Sequence, residues 1–160
     1  MITYREWSEH DTAELRRLVS ALHESMRPYD ENYPPAAEVI ERYFHYLVTE
    51  VAATSGTFLL AEDEGRPIGF ACVFGLMPPF APDEDPAEFT FISDLYVDAA
   101  YRGQGVGKAL LLRAEAYGNA LGAPRIELAV HAANFAMELY TRLGYRPRLV
   151  IMTKRLEQER

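Results

Sequence analysis

The densest chemical signal in the chain is the run Arg102-Gly103-Gln104-Gly105-Val106-Gly107-Lys108. Its three glycines fall between a predicted strand and a predicted helix. Such a turn lets backbone N–H groups converge at a helix N-terminus, where the helix dipole favours an anion. Glycine tolerates positive φ and lets a ligand approach the backbone closely. The run therefore describes a phosphate cradle, but two common patterns fail. A P-loop ending at Gly107-Lys108 needs glycine where Arg102 stands and Ser or Thr where Ala109 stands. A dinucleotide fingerprint begun at Gly103 and Gly105 puts Lys108 where its third small residue belongs, and no βαβ unit precedes it.

What does fit is Arg102-x-x-Gly105-x-Gly107 behind the strand end DLYVD (94–98). This resembles the GNAT superfamily of N-acetyltransferases, whose signature is Arg/Gln-x-x-Gly-x-Gly/Ala after a strand reading hydrophobic-x-Val. A second landmark follows. NFAMELYTRLGY (134–145) is similar to the family pattern Asn-x-x-Ala…Leu-Tyr-x-x-x-Gly-Phe/Tyr, with Ala136 displaced by one position. The resemblance spans residues 2–156. It implies that the glycine loop wraps the pyrophosphate of acetyl-coenzyme A. It also implies that Leu95, Tyr96, Val97, Arg102, Gly103, Gln104, Gly105, Val106, Gly107, Lys108, Asn134 and Tyr140 contact this co-substrate, with no metal.

Acetyl transfer to an amine sets three chemical demands. A lysine-like amine has a pKa of about 10.4, so a base must take its proton at neutral pH. The tetrahedral oxyanion needs a donor. The resemblance assigns it to a backbone N–H on the strand before the glycine loop, at Tyr96 or Val97. The departing thiolate needs a proton. A thiol near 8.5 and a phenol near 10 differ by roughly 2 kcal/mol, so Tyr140 can act as general acid. Asp94 is the candidate base or amine-binding group. Strict alternation puts it on one strand face with Ile92 and Tyr96. Glu127 and His131 are further candidates for the base. Tyr29, Asp30 and Tyr33 fall in a region that the resemblance assigns to the acceptor site. Direct attack is expected, because Cys72 lies outside both motifs and is read as a small core residue.

The elements that must position these residues read as follows. Ile2–Arg5 is a strand, and Asp11 with Glu14 resembles a capping box before a helix carrying Leu15, Leu18, Val19 and Leu22. Residues 27–35 break that helix. A second starts near Pro35 and carries Val39, Tyr43, Leu47, Val48 and Val51. Thr57–Glu62 and Ile68–Leu76 form a hairpin, residues 77–88 a proline-rich acidic loop, and Phe89–Val97 a strand. A helix follows the glycine loop, with Arg125–Val130 as a strand after it. Asn134 opens the next helix, and Leu149–Leu156 is a last strand. Trp7 should pack on the helices. The order predicts an α+β fold: a GNAT-like mixed, mostly antiparallel sheet flanked by helices. Its central parallel strands, 89–97 and 125–130, should splay to admit the pantetheine arm.

The chain has 160 residues, 49% hydrophobic and 25% charged, which suits one folded domain over 1–160. Its net charge of −8 argues against general nucleic-acid binding. A single cysteine excludes an intrachain disulfide. The first 25 residues carry charges throughout and no stretch suits a membrane span, so a cytoplasmic protein without membrane or nucleic-acid partners is expected. Residues 1–80 carry −7 and residues 81–160 carry −1. That imbalance suggests a cationic acceptor amine facing the first half. Homodimerisation, the acyl-chain length and the acceptor stay open. A non-catalytic acyl-coenzyme A sensor, or a transferase for longer acyl chains, is the rival reading.

Overall fold

The computed structural model describes residues 1–157. Its strands are β1 (Ile2–Glu6), β2 (Thr57–Asp63), β3 (Arg66–Met77), β4 (Phe89–Val97) and β5 (Ile126–Leu128). Its helices are α1 (Thr12–Met26), α2 (Ala36–Ala53), α3 (Val106–Ala120) and α4 (Ala136–Arg142). The sheet order is β1-β2-β3-β4-β5; the first three pairings are antiparallel and β4–β5 is parallel. The expected mixed, mostly antiparallel α+β fold is present.

The sheet separates two cores. One face packs Phe58, Leu60, Phe70, Cys72 and Phe74 against Leu15, Leu18, Phe44 and Leu47 of α1 and α2. The other packs Leu59, Ala61, Ala71, Val73 and Ile92 against Val106, Leu110, Leu111 and Ala114 of α3. The period-two alternation of β2 and β3 makes this division, and their burial on both sides explains why they read as continuous apolar runs. Trp7 meets Phe58 edge-on at 5.1 Å, in the first core.

Three expectations are corrected. The capping box falls one turn earlier: the Ser8 backbone N–H donates to the Asp11 carboxylate at 2.7 Å, so Asp11 closes the box and does not open it. Arg5 also donates to Asp11 and holds its carboxyl below the usual range. The strand read over 125–130 is only Ile126–Leu128, and it lies at the sheet edge among the described residues. The last strand, 149–156, does not form. Residues 145–157 carry no regular element, and Ile151 and Met152 are about nine-tenths exposed. The segment's side-chain contacts are surface ion pairs, Arg148 with Glu84 and Glu127 and Arg155 with Glu31. A three-residue β5 offers little ladder to extend.

Candidate active site

β4 runs to Val97, but β5 accompanies it only from Thr90 to Ile92. Beyond Ile92 the two strands part, as the splay expectation required. Residues 93–97 of β4 thus border a gap in the sheet. Backbone alternation decides what faces it. The Asp98 N–H donates to the Ile68 carbonyl at 2.8 Å, which makes Phe70↔Tyr96 and Cys72↔Asp94 hydrogen-bonded pairs of the β3–β4 ladder. The backbone of Tyr96 therefore turns toward β3. Those of Leu95 and Val97 turn toward the gap. Of the two oxyanion donors expected, Val97 has its N–H on the open side and Tyr96 does not; Leu95 joins it.

A bulge also changes which side chains share a face. In the β3–β4 register Cys72 opposes Asp94 while Val73 opposes Ile92, so Ser93 is an extra residue. Alternation reverses across it. Asp94 shares the α1/α2 face with Tyr96, whereas Ile92 packs on the α3 face with Leu95 and Val97. The expectation that Asp94 and Ile92 share a face is thus overturned.

Asp94 is 8% exposed. Its carboxylate accepts hydrogen bonds from the Tyr43 hydroxyl at 2.8 and 3.1 Å and from the Ser93 hydroxyl at 2.7 Å. Burial raises its pKa above the ordinary carboxylate value; the Ser93 and Tyr43 bonds and the charge of His23 pull it back in part. The Tyr43 phenol is in turn pushed far up by burial beside that carboxylate. Cys72, across the ladder, is fully buried with its thiol pushed up, as a core residue should be.

On the opposite face stands Tyr140 of α4. It packs against the same α3-face core as Leu95 and Val97 and meets Tyr145 edge-on at 5.9 Å. Burial alone pushes its phenol up to about 12, so it carries its proton throughout the neutral range. Tyr145 donates to Glu115 on α3 at 3.0 Å, which ties α4 to α3.

The glycine loop closes one end of the gap. Gly103 and Gly105 adopt φ of 75° and 83°, in the left-handed region, and a Cβ there would meet nothing within 4 Å. Only glycine holds that backbone without strain. The first intrahelical bond of α3 runs from the Ala109 N–H to the Gly105 carbonyl. The N–H groups of Val106, Gly107 and Lys108 precede it and lack intrahelical acceptors. Arg102 donates to the Val97 carbonyl at 2.9 Å and lies 5.4 Å from the Tyr96 ring, which couples the loop to β4. Gln104 donates to the Ala100 carbonyl at 3.0 Å. Lys108 is exposed at the mouth. Asn134 stands two residues before α4, accepts the Ala136 N–H at 2.9 Å and reaches Met26 of α1, so it spans the cleft.

The profile of the acetyltransferase (GNAT) family matches residues 15–145. The chain is a member of the GNAT family of N-acetyltransferases. It is similar to an uncharacterized N-acetyltransferase of Methanocaldococcus jannaschii, 30% identical over 127 residues that cover 78% of this chain and 53% of that one. The chain thus spans about half the length of this curated relative. Among solved structures it resembles an acetyl transferase described as putative from Pyrococcus furiosus, with TM-score 0.78 and 25% identity over 98% and 100% of the two chains. An aminoglycoside N-acetyltransferase solved in complex with coenzyme A shares the fold at TM-score 0.73 and 18% identity, over 98% and 96%.

The remaining candidates separate. Glu127 is engaged by Arg125 at 2.9 Å and by Arg148, which commits its carboxylate to ion pairs. His131 lies 3.3 Å from the Tyr33 hydroxyl and 4.0 Å from Asp30, on the rim of the same cleft. Tyr29, Asp30 and Tyr33 line that cleft as well. The sequence reading missed the roles of Tyr43 and Ser93. Tyr43 sits at a core-spaced position of α2, and its hydroxyl was the one signal that it reaches a polar partner.

Proposed function

We infer that this protein moves an acetyl group from acetyl-coenzyme A to a primary amine by direct attack across the gap between β4 and β5. The observation that carries this reading is the placement of Asp94 and Tyr140 on opposite faces of β4, with the glycine loop at the end of the gap between them. When bound, acetyl-coenzyme A supplies the thioester that is attacked. The N–H groups of Val106, Gly107 and Lys108, with the Arg102 and Lys108 cations, suit its pyrophosphate. Gly103 and Asn134 line the same cleft, whereas Gln104 turns back onto the loop. The open backbone edge at Leu95 and Val97 suits the pantetheine amide and the developing oxyanion.

The acceptor approaches from the α1/α2 face. The Asp94 carboxylate draws its ammonium in and receives its proton, and the neutral amine attacks the thioester carbonyl. The excess negative charge of residues 1–80 favours a cationic acceptor. On the far face, Tyr140 gives its proton to the thiolate as the C–S bond breaks, and the second proton that the nitrogen sheds on becoming an amide restores the phenol. A phenol held at about 12 makes this transfer steeper than the roughly 2 kcal/mol of an ordinary one. The thiolate leaves into the same dry surroundings, which raise its own proton affinity.

The test is release of free coenzyme A thiol in the presence of amines, with Tyr140→Phe as the probe. Packing against Tyr145 is retained and only the donor is lost. Turnover should fall about 10²-fold with affinity for acetyl-coenzyme A unchanged. Wild-type turnover in the variant would assign the proton to another group.

A further inference from the structure

The cleft floor holds a buried carboxyl with no Lys or Arg counter-ion among the described residues, and His23 acts on it only through space. Asp94 is nearly fully buried, yet among the described residues its hydrogen-bond partners are two hydroxyls and no Lys or Arg pairs with it. Buried carboxylates are ordinarily matched by a cation. Here the open side of the group is the cleft. Beside it runs a connected aromatic surface on the same sheet face. Tyr43 stacks on Tyr46 at 6.0 Å, Tyr46 meets Phe74 edge-on at 6.0 Å, and Phe74 lies 6.2 Å from Phe91. Phe80, from the proline-rich loop 78–88, extends the surface against Phe91 at 5.7 Å. Tyr46 and Phe80 are 46% and 59% exposed, and both line the cleft. Across from them Tyr33 and His131 stack edge-on at 5.4 Å.

Exposed aromatic rings that lead to a buried, unmatched carboxylate fit one ligand chemistry. The ammonium end is fixed by charge, and the rings hold an apolar body by contact area and by attraction of the cation to their faces. A polyamine or an aminosugar would satisfy the carboxylate but leave the rings against hydrated polar groups. We propose that the acceptor is a primary amine borne on a short linker from an aromatic or bulky apolar group, its ammonium at Asp94 and its body on Tyr46, Phe91 and Phe80. This rests on the acetyl-transfer reading and narrows its acceptor.

The experiment compares phenethylamine and tryptamine with butylamine and spermidine, by thiol release from acetyl-coenzyme A with the full chain. The arylalkylamines should exceed both others in kcat/KM by about ten-fold or more. Tyr46→Ala and Phe80→Ala should each lower kcat/KM for phenethylamine roughly five-fold more than for butylamine, with KM for acetyl-coenzyme A unchanged. Spermidine outperforming the arylalkylamines would overturn the inference and leave acetyl transfer standing. If no amine releases thiol, the acetyl-transfer reading fails, and saturation-transfer NMR with phenethylammonium decides the inference alone. Saturable binding that Asp94→Asn abolishes sustains it; no saturable binding overturns it.

Discussion

The two faces of β4 border the same gap and are built for different work. The α1/α2 face brings a buried carboxylate, two hydroxyls and a line of aromatic rings to it. The α3/α4 face brings a glycine-rich helix start, the exposed Lys108 and a protonated phenol. A single side-chain alternation would have mixed these sets. The extra residue at Ser93 separates them, because it moves Asp94 off the face of Ile92 while Leu95 and Val97 keep the other. One inserted residue lets the strand present two different sets of side chains on its two sides.

The sharpest way to break this division is to damage one face and read the other. Gly105→Glu places a side chain on a backbone at φ 83° and a negative charge where an anion should sit. Affinity for acetyl-coenzyme A should fall about 10²-fold or more, measured by titration calorimetry, while phenethylammonium binding at Asp94 persists. Loss of both would mean that the faces do not act independently.

A smaller effect separates the groups by pH. The charged form of Asp94 is the one that attracts an ammonium, and burial raises its pKa above the ordinary value. Activity should therefore fall as pH decreases through that raised pKa. The Tyr43 hydroxyl stabilises the charged form, so Tyr43→Phe should move this acid limb to higher pH. At its optimum pH the variant should lose only about three- to ten-fold, one hydrogen bond to a charge. Tyr140, held at about 12, should add no alkaline loss below that range. A pH–rate profile of both proteins checks all three points, and an unmoved acid limb would remove Asp94 from the rate.

Much of the α3/α4 face was legible in the sequence. Positive φ at Gly103 and Gly105 demands glycine, so the loop's conformation is written in its composition. Asp94 and Tyr140 were also visible as residue types near those motifs. The face of Asp94 was not, because a bulge has no sequence signature at Ser93 and reverses every later side chain. Tyr43 was hidden by occupying an apolar position of a helix. The aromatic surface is drawn from α2, β3, β4 and a loop, which only tertiary packing assembles. The run Leu149–Met152 misled for the opposite reason. Its strand propensity is real, but β5 pairs over only three residues and leaves little ladder for it to join.

Asp94→Asn tests the division of labour most directly, since it keeps the shape and removes the charge. Its acetyl-coenzyme A dissociation constant should stay within about two-fold of wild type, while kcat/KM for the amine falls at least roughly 30-fold. A matching loss of acetyl-coenzyme A affinity, or an unchanged kcat/KM for the amine, would contradict the assignment of the two faces.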